Sequence, residues 1–306
     1  MSDPSTVAGS LTCADAPRTV GIKRVASGAL WVSVGSHAVL VCASVFALYP
    51  LLWVLSGAFS RGELSEAHAI PVPRSPSVEH FREVLTGSGA GSVWFFVRQL
   101  SNSLLVSASA AIAALAVATP GAYALSRFRF VGKGSYSGAL AATQMFPGVA
   151  AAIPLYLILD ATHLLDSRTG LVLVYAATAV PFSVFQLRAA FDAISVELEE
   201  AALVDGASRL QAFVRIILPA ARPALAVTLL FAFMGAWNEF ILAVTFLSRE
   251  ELFTLPIVLQ RYVGEYDSRW GPFAAGAILV SAPVMALFYW LQRHIVSGLT
   301  AGGVKG

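Results

Sequence analysis

Long stretches without a charged side chain dominate the pattern of polar and apolar positions along the chain. No Asp, Glu, Lys or Arg occurs in the runs 25–60, 99–126, 134–159, 169–187 and 270–292, and the run 223–248 contains one acid, Glu239. A helix needs roughly 20 mostly apolar residues to cross the hydrocarbon layer of a bilayer. The pattern therefore predicts six transmembrane helices, of which the fourth comes from the shortest run, with centres near Val41, Ala111, Gly148, Ala177, Leu230 and Val280.

The composition excludes a large soluble protein. The chain is 57% hydrophobic and 12% charged, whereas soluble domains carry about 25% charged residues. The net charge of +2 comes without a basic run, so no nucleic-acid partner is expected. Residues 1–24 are polar and lack the apolar core of a signal peptide. We therefore expect an all-α integral membrane protein that is surrounded by membrane lipid and retains its first apolar helix.

Basic residues set the expected orientation. With the amino terminus placed in the cytoplasm, twelve of the 20 Lys and Arg residues lie inside and eight outside, a modest positive-inside bias. This topology gives a cytoplasmic tail at 1–24, the first helix and its flanks at 25–60 and an extracytoplasmic loop at 61–98. A transmembrane core follows at 99–296 and a second cytoplasmic tail at 297–306. Both termini are then cytoplasmic.

The segment 192–222 concentrates charge between the fourth and fifth helices. Ser195 is a candidate N-cap, and Gly206 stands where a glycine follows a helix end. Leu198, Ala201 and Ala202 form one narrow face of small apolar residues. The pattern predicts two short helices, with Ser208 capping the second and Pro219 ending it. Two interpretations stay open: an amphipathic linker on the membrane surface, or a helix that inserts into a pocket of another protein.

The same segment contains the pattern E-A-A-x3-G-x9-I-x-L-P, from Glu200 to Pro219. This resembles the signature of permease subunits of type I ABC importers, which lie in the bacterial cytoplasmic membrane. The resemblance implies that the segment 192–219 holds the coupling helix that docks in a cleft of a separate ATPase, with Glu200 facing a basic group there. ATP and Mg would bind that ATPase, and this chain would hold no cofactor. The implied ATPase-coupling residues are Glu200, Ala201, Ala202, Asp205, Gly206, Ile216, Leu218 and Pro219.

The carboxyl terminus GLTAGGVKG and the motif 236–240, AWNEF, resemble sugar permeases of the MalG type, which belong to maltose and maltodextrin importers. The resemblance implies a MalF-like second permease, a MalK-like ATPase dimer and an extracytoplasmic sugar-binding protein, with the principal sugar site on the second permease. It places the tail, Gly302, Gly303, Val304, Lys305 and Gly306, between the ATPase subunits. A frayed terminus is the alternative for this tail.

An outer loop between helices five and six is the predicted contact with the sugar-binding protein. Its implied contact residues are Gln260, Tyr262, Gly264, Tyr266 and Trp270. Aromatic rings among polar neighbours also suit anchors at the bilayer surface, so that interpretation stays open for Trp270 and Tyr266. No sugar-contacting residue of this chain is implied.

Two other function classes are weaker. An ion-coupled secondary carrier needs ionisable groups within the membrane, and Glu239 alone is thin support, since an interfacial or hydrogen-bonded carboxylate explains it as well. A membrane enzyme needs a nucleophile and a base or a metal site, and the sequence has no such spacing. It also has no phosphate-binding loop. We therefore expect a non-catalytic permease subunit for a sugar, maltose or maltodextrin or a related oligosaccharide.

Two further features concern packing. The small-residue run 107–124 permits close helix contact, either within the chain or with a partner. Pro120-Gly121 and Pro147-Gly148 are candidate hinges or ordinary kinks. Cys13 and Cys42 are expected to be unpaired thiols, because one lies in a polar tail and the other in a membrane span.

Overall fold

The computed structural model describes residues 26–62, 71–73, 75–86, 93–264 and 268–302, with side chains described between 32 and 292 of these ranges. In this part of the chain the only β pairings are two isolated antiparallel bridges, Ser60–Pro76 and Val263–Ser268. The α-helices are α1 Ala26–Phe59, α2 Glu79–Thr86, α3 Val93–Arg127, α4 Lys133–Met145, α5 Ala152–Ala161, α6 Arg168–Ala193, α7 Val196–Val204, α8 Arg209–Ala212, α9 Leu218–Ala220, α10 Arg222–Asn238, α11 Ile241–Phe246, α12 Leu255–Gln260 and α13 Trp270–Gly302. The all-α fold class is confirmed.

The chain divides into two compact units within α1, after Pro50. The described part of the first unit is a single apolar helix whose side chains from Val32 onward are exposed, and its Cys42 is a free thiol. The second unit carries all the other elements. A helix that is apolar on all sides is unfavourable in water when its side chains are exposed. The first unit therefore fits a lipid environment.

The number of membrane spans depends on how bent helices are counted. Four helices among the described residues are long and apolar enough to cross a membrane: Val32–Phe59 of α1, α3, α6 and Trp270–Gln292 of α13. Two bent pairs raise the number to six if each pair is one span. Lys133–Met145 and Gly148–Ala161 meet at 98°, and Arg209–Ala220 and Arg222–Asn238 meet at 75°.

The predicted third helix therefore bends next to Pro147-Gly148, a candidate hinge or kink in the sequence, whereas the 75° bend lies just before the fifth charge-free run. Phe146 adopts extended backbone because it precedes Pro147, which disfavours helical geometry at the residue before it. The fifth run ends as a helix at Asn238 and resumes as α11. The fourth, which comes from the shortest run, is a continuous helix of 26 residues.

Close packing of α3 against its neighbours uses the small-residue run. Ala110, Ala114, Ala118 and Ala122 recur every four residues, and each is no more than 1% exposed. Small side chains at this spacing let helix backbones approach closely. These four alanines pack inside the chain. At these positions the run therefore serves internal packing and not a partner.

Three clusters of buried side chains hold the second unit together. One joins α6 to α11 and α12, and a second joins α2, α3, α10 and α13. The third joins the last turns of α3 and α6 to the segment after α7 through Phe191, Ile217 and Ala221. The charged segment is thus fixed to the ends of α3 and α6.

Candidate functional site

The charged segment begins with a capped helix. Ser195 has extended-type backbone, and its hydroxyl accepts a hydrogen bond from the amide of Glu197 at 3.2 Å. Glu197 and Glu199 occupy the first turn of α7, where the positive end of the helix dipole stabilises acids. The predicted N-cap is confirmed, and it fixes where α7 starts.

Gly206 ends α7 in the predicted way. Its φ of 88° is left-handed, a conformation that glycine adopts without a steric penalty. The amide of Gly206 donates to Leu203 O at 3.1 Å, and the amide of Ala207 donates to Ala202 O at 2.9 Å. These two bonds form a Schellman motif that satisfies carbonyls at the helix end.

The next helix, α8, begins three residues after this glycine, and Ser208 is its N-cap. Ser208 and Gln211 form a capping box, in which each side chain bonds the other residue's backbone amide. The predicted second N-cap is therefore confirmed. Together with the Schellman motif, it fixes the turn between α7 and α8 on both sides.

A buried acid anchors α7 to the end of α3. The carboxylate of Glu199 accepts a hydrogen bond from the Tyr123 hydroxyl at 2.6 Å and one from Arg127 Nε at 3.2 Å. The side chains of Arg127 and Glu199 are only 6% and 4% exposed. Arg127 also donates to the carbonyl of Ile194 at 2.8 Å, and Arg209 lies 3.9 Å from the same carboxylate. We call Glu199, Tyr123 and Arg127 the α7 clamp.

The clamp was not predicted from the sequence. Tyr123 and Arg127 are four residues apart on α3, so they share a face, and this spacing was the available signal. Their partner lies more than 70 residues later in the chain. The sequence drew attention to Glu200 because it belongs to the motif, whereas the buried acid is its neighbour.

The outward face of α7 carries the rest of the motif. Glu200 and Ala201 are exposed, as are Leu198 and Val204, which retain 51% and 87% of their accessible surface. Ala202 is only 7% exposed. Because it lies three residues after Glu199, it faces the interior, which corrects its assignment to the outward, docking face. We call Leu198, Glu200, Ala201 and Val204 the α7 outer face.

The rest of the predicted docking segment leads into α10. Asp205 is exposed at the C-cap of α7. After α8 the chain forms a π-helical turn, Phe213–Ile217, and the ring of Phe213 packs on Tyr123 at 4.3 Å between centroids. Ile216, Leu218 and Pro219 are half-buried.

Pro219 does not end the second helix, contrary to the prediction. Helical backbone continues through it to Ala220. A proline within a helix clashes with the carbonyl four residues earlier, and the wider π turn before it makes room for the ring. The break falls instead at Ala221, where the 75° bend separates this segment from α10.

Glu239 lies at the break between α10 and α11. Its carboxylate accepts hydrogen bonds from the amides of Leu242 at 2.9 Å and Ala243 at 3.0 Å, and from the Tyr175 hydroxyl at 2.7 Å. The acid therefore caps α11 and ties it to α6. This agrees with the hydrogen-bonded alternative for Glu239, because three hydrogen bonds fix the carboxylate in a structural position.

The outer loop is held by its own contacts. Arg269 donates to both carboxylate oxygens of Glu83, which joins the start of α13 to α2. Tyr262 is 7% exposed and belongs to the buried cluster of α2, α3, α10 and α13. Burial raises the pKa of Tyr262, and the nearby charge of Glu83 raises it further. The expectation that Tyr262 contacts a binding protein is corrected, because its ring packs inside the chain.

The other predicted loop residues lie at the surface or outside the described residues. Gln260 and Gly264 are exposed, and Trp270 is 49% exposed at the start of α13. Tyr266 falls outside the described residues. Of the predicted tail, Gly302 is the last residue of α13, and Gly303, Val304, Lys305 and Gly306 are outside the described residues.

A second clamp joins the loop that precedes α6 to the loop that follows α11. The carboxylate of Asp166 accepts hydrogen bonds from the amides of Ser248 and Arg249 and from Arg249 Nε at 2.6 Å. Burial alone would raise the pKa of Asp166, but these bonds and the guanidinium charge hold that pKa below its ordinary value. The clamp therefore contains an ionised carboxylate at neutral pH.

Known proteins are similar to this chain in sequence and in fold. The family model described as binding-protein-dependent transport system inner membrane component matches residues 111–301. The diacetylchitobiose uptake system permease protein DasC of Streptomyces coelicolor is 36% identical over 286 residues, which cover 93% of this chain and 100% of that protein. The maltose/maltodextrin transport system permease protein MalG of Vibrio vulnificus is 35% identical, with 85% and 91% covered.

A solved structure is also similar to this chain. The chain is similar to one in the crystal structure of a bacterial ABC transporter that imports the acidic polysaccharide alginate, with a TM-score of 0.72 and 25% identity over 87% of this chain and 97% of that one. The two relatives are permease proteins of uptake or transport systems. The chain belongs to the family of binding-protein-dependent transport system inner membrane components, as a non-catalytic, multi-pass permease subunit.

Proposed function

We propose that the chain is a permease subunit of an ATP-driven ABC importer that moves a sugar into the cytoplasm: maltose, maltodextrin or a related oligosaccharide. Similar permeases serve diacetylchitobiose and maltose/maltodextrin, so the class of substrate is better supported than any one sugar. The complete transporter contains a MalF-like second permease, a MalK-like ATPase dimer that binds ATP and Mg, and an extracytoplasmic sugar-binding protein. Both termini face the cytoplasm.

The α7 outer face is the observation that carries this proposal. Leu198 and Val204 expose apolar surface on a helix that also carries Glu200 and belongs to a rigidly capped segment. Exposed apolar surface with a polar rim is typical of protein interaction sites. The α7 clamp holds the opposite side of the same helix in the protein interior. A helix fixed on one side and exposed on the other fits a docking element for an ATPase cleft.

The division of roles between the two neighbouring acids follows from burial. Glu200 is exposed and free to meet a basic group of the ATPase, whereas Glu199 is buried and already paired within the chain. The small side chain of Ala201 lets the ATPase approach the backbone of α7 closely. The clamp then passes a displacement of α7 directly to α3, because the paired side chains leave no flexible linker between the two helices.

The outer loop and the tail complete the proposal. Gln260, Gly264, Tyr266 and Trp270 contact the sugar-binding protein, while Tyr262 and Arg269 hold the loop to α2 and the buried cluster. Residues 302–306 lie between the ATPase subunits. Shortening the segment 263–268 leaves assembly intact, and sugar then stays on a binding protein locked onto the ATP-bound transporter. Release of labelled sugar at the native rate contradicts the role given to the loop.

The deciding experiment is reconstitution of the complete transporter in liposomes with external binding protein and labelled maltotriose or diacetylchitobiose. Native transporter takes up at least one of these sugars and needs ATP, the ATPase and the binding protein. Val204→Asp abolishes uptake and co-purification of the ATPase, because it places a charge on the α7 outer face. Val131→Asp, at a fully exposed valine in the α3–α4 loop, leaves both unchanged. Uptake by the chain alone contradicts the proposal and favours a secondary carrier.

A further inference from the structure

A cavity of about 270 Å³ lies between the middle of α6 and the second half of α10. Its distinctive lining residues are Tyr175, Thr178, Phe182, Phe231, Gly235 and Glu239. It opens beside the break at which α10 ends, and broken membrane helices characteristically line the substrate sites of transporters. The resemblance to sugar permeases places the principal sugar site on the second permease, so nothing assigns this cavity a role.

One wall of the cavity is aromatic and accessible. Phe182 and Phe231 are 48% and 50% exposed, and their rings meet edge to face with centroids 5.9 Å apart. Gly235 keeps the space beside them open, because a Cβ added there meets no atom within 4 Å. The negatively polarised face of an aromatic ring attracts the C–H groups on the flat face of a sugar ring.

The opposite wall presents a fixed carboxylate. An ionised carboxylate has about four acceptor sites, and three of those of Glu239 are taken by Tyr175, Leu242 and Ala243. The remaining site can accept one hydroxyl in a charge-assisted hydrogen bond. Because three donors already compensate the charge, a neutral ligand with hydroxyl groups fits better than a cation.

We propose that this cavity binds one ring of the transported oligosaccharide, stacked on Phe182 and Phe231 and hydrogen-bonded to Glu239. The volume supports a single ring, since pockets for whole drug-sized ligands measure about 300–1,000 Å³. The inference rests on the proposed function and adds a sugar contact from this chain to the site on the second permease. It gives the broken helix and its carboxylate a direct part in translocation.

The first test uses the reconstituted complete transporter with labelled maltotriose and diacetylchitobiose. Phe182→Ala lowers uptake about tenfold, in line with the loss of one stacking contact, while sugar-loaded binding protein still stimulates ATP hydrolysis. ATP consumed per sugar therefore rises about tenfold. Phe182→Tyr retains uptake because it keeps the ring. The matched control is Phe288→Ala, at a 51% exposed phenylalanine of α13, which leaves uptake and ATP hydrolysis unchanged.

The second test measures occupancy directly. In a background with Cys13→Ser and Cys42→Ser, which removes both native cysteines, Thr178→Cys lines the cavity. The neighbouring Ala177→Cys is exposed but lies outside it. Maltotriose trapped in the ATP-bound transporter slows maleimide labelling at 178 about tenfold, the effect expected when most of the cavity is occupied. It leaves labelling at 177 unchanged.

Several results overturn the proposal. Native uptake by Phe182→Ala, an equal loss in Phe288→Ala, or a parallel loss of uptake and stimulated ATP hydrolysis shows that the ring serves no sugar contact. Equal labelling of position 178 with and without sugar does the same. If the native transporter takes up neither sugar in a binding-protein-dependent way, the proposed function itself fails. That outcome is visible before any variant is compared.

Discussion

Removing the charge of Glu199 tests the α7 clamp most directly. Glu199→Gln keeps the shape of the side chain but has one acceptor oxygen instead of two and leaves the buried Arg127 without its counter-charge. Breaking a buried ion pair costs about 3–5 kcal/mol. We expect the lower end, about 3 kcal/mol, because Arg127 keeps its hydrogen bond to Ile194 O and no cavity opens. Separation of α7 from α3 should therefore become about a hundredfold more frequent.

Amide hydrogen exchange measures this separation, since exchange of a helix amide reports the free energy of its local opening. In Glu199→Gln the amides of α7 should exchange about a hundredfold faster, whereas those of α6 stay protected. The matched control is Glu200→Gln, at the adjacent exposed acid, which should leave exchange unchanged although it weakens docking of the ATPase. Tyr123→Phe removes only the 2.6 Å bond and keeps the ring contact with Phe213.

Tyr123→Phe should therefore cost about 1.5–3 kcal/mol, the contribution of a hydrogen bond to a charged group. In the Glu199→Gln background it should cost much less, because the charge that strengthens the bond is gone. Unchanged exchange of α7 in Glu199→Gln, or equal acceleration in Glu200→Gln, refutes the clamp as the anchor of α7.

Changes at three further places test other parts of the structure. Gly206→Ala should lower stability by about 1 kcal/mol, because alanine is strained at a φ of 88°. Gly206→Asp should also abolish sugar uptake. Thermal unfolding measures the loss of stability and a transport assay measures the loss of uptake, and normal transport by Gly206→Asp contradicts docking at this turn. Because the pKa of folded Asp166 is lowered, the stabilisation by its clamp is present above the ordinary carboxyl pKa of 3.8 and is lost as pH falls through the folded pKa. Hydrogen exchange of the Ser248 amide should therefore speed up at low pH in the native protein but not in Asp166→Asn. If exchange depends on pH identically in both proteins, the Asp166 clamp does not provide this stabilisation. Deleting 303–306 should release ATP hydrolysis from control if the tail lies between ATPase subunits, whereas unaltered regulation favours a frayed end.

Local chemistry explains which features could be predicted. Ser195, Gly206 and Ser208 are caps, and a cap needs only the few residues around it, so the sequence carries the full signal. The charge-free runs likewise predict where membrane helices lie, because length and polarity alone decide that. Glu239 is predicted to be either interfacial or hydrogen-bonded, or functional, and its three hydrogen bonds agree with the hydrogen-bonded alternative.

Long-range packing explains what could not be predicted. Ala201 and Ala202 are adjacent and chemically identical, yet the turn of α7 exposes one and buries the other. Which of them faces inward depends on Tyr123 and Arg127, which are distant in sequence. Tyr262 resembles a surface aromatic by its neighbours and is buried because α2 and α13 close over it. Pro147-Gly148 is a candidate hinge or kink, but a charge-free run does not show how sharply a helix bends, here by 98°.

The α7 outer face and the cavity belong to one packed unit. The clamp ties α7 to α3, the alanine stripe of α3 packs inside the chain, and α6 carries both Phe191 of the clamp-side cluster and Phe182 of the cavity wall. The helix axes already change direction at the bends after Met145 and at Ala221, so we expect movement to concentrate there. We infer that motion driven at α7 uses these bends and leaves the α3–α6 packing closed. The distance between spin labels at 198 and 182 should then stay constant on ATP binding while that between 198 and 153 changes, and the opposite pattern would place the hinge inside the α3–α6 pair.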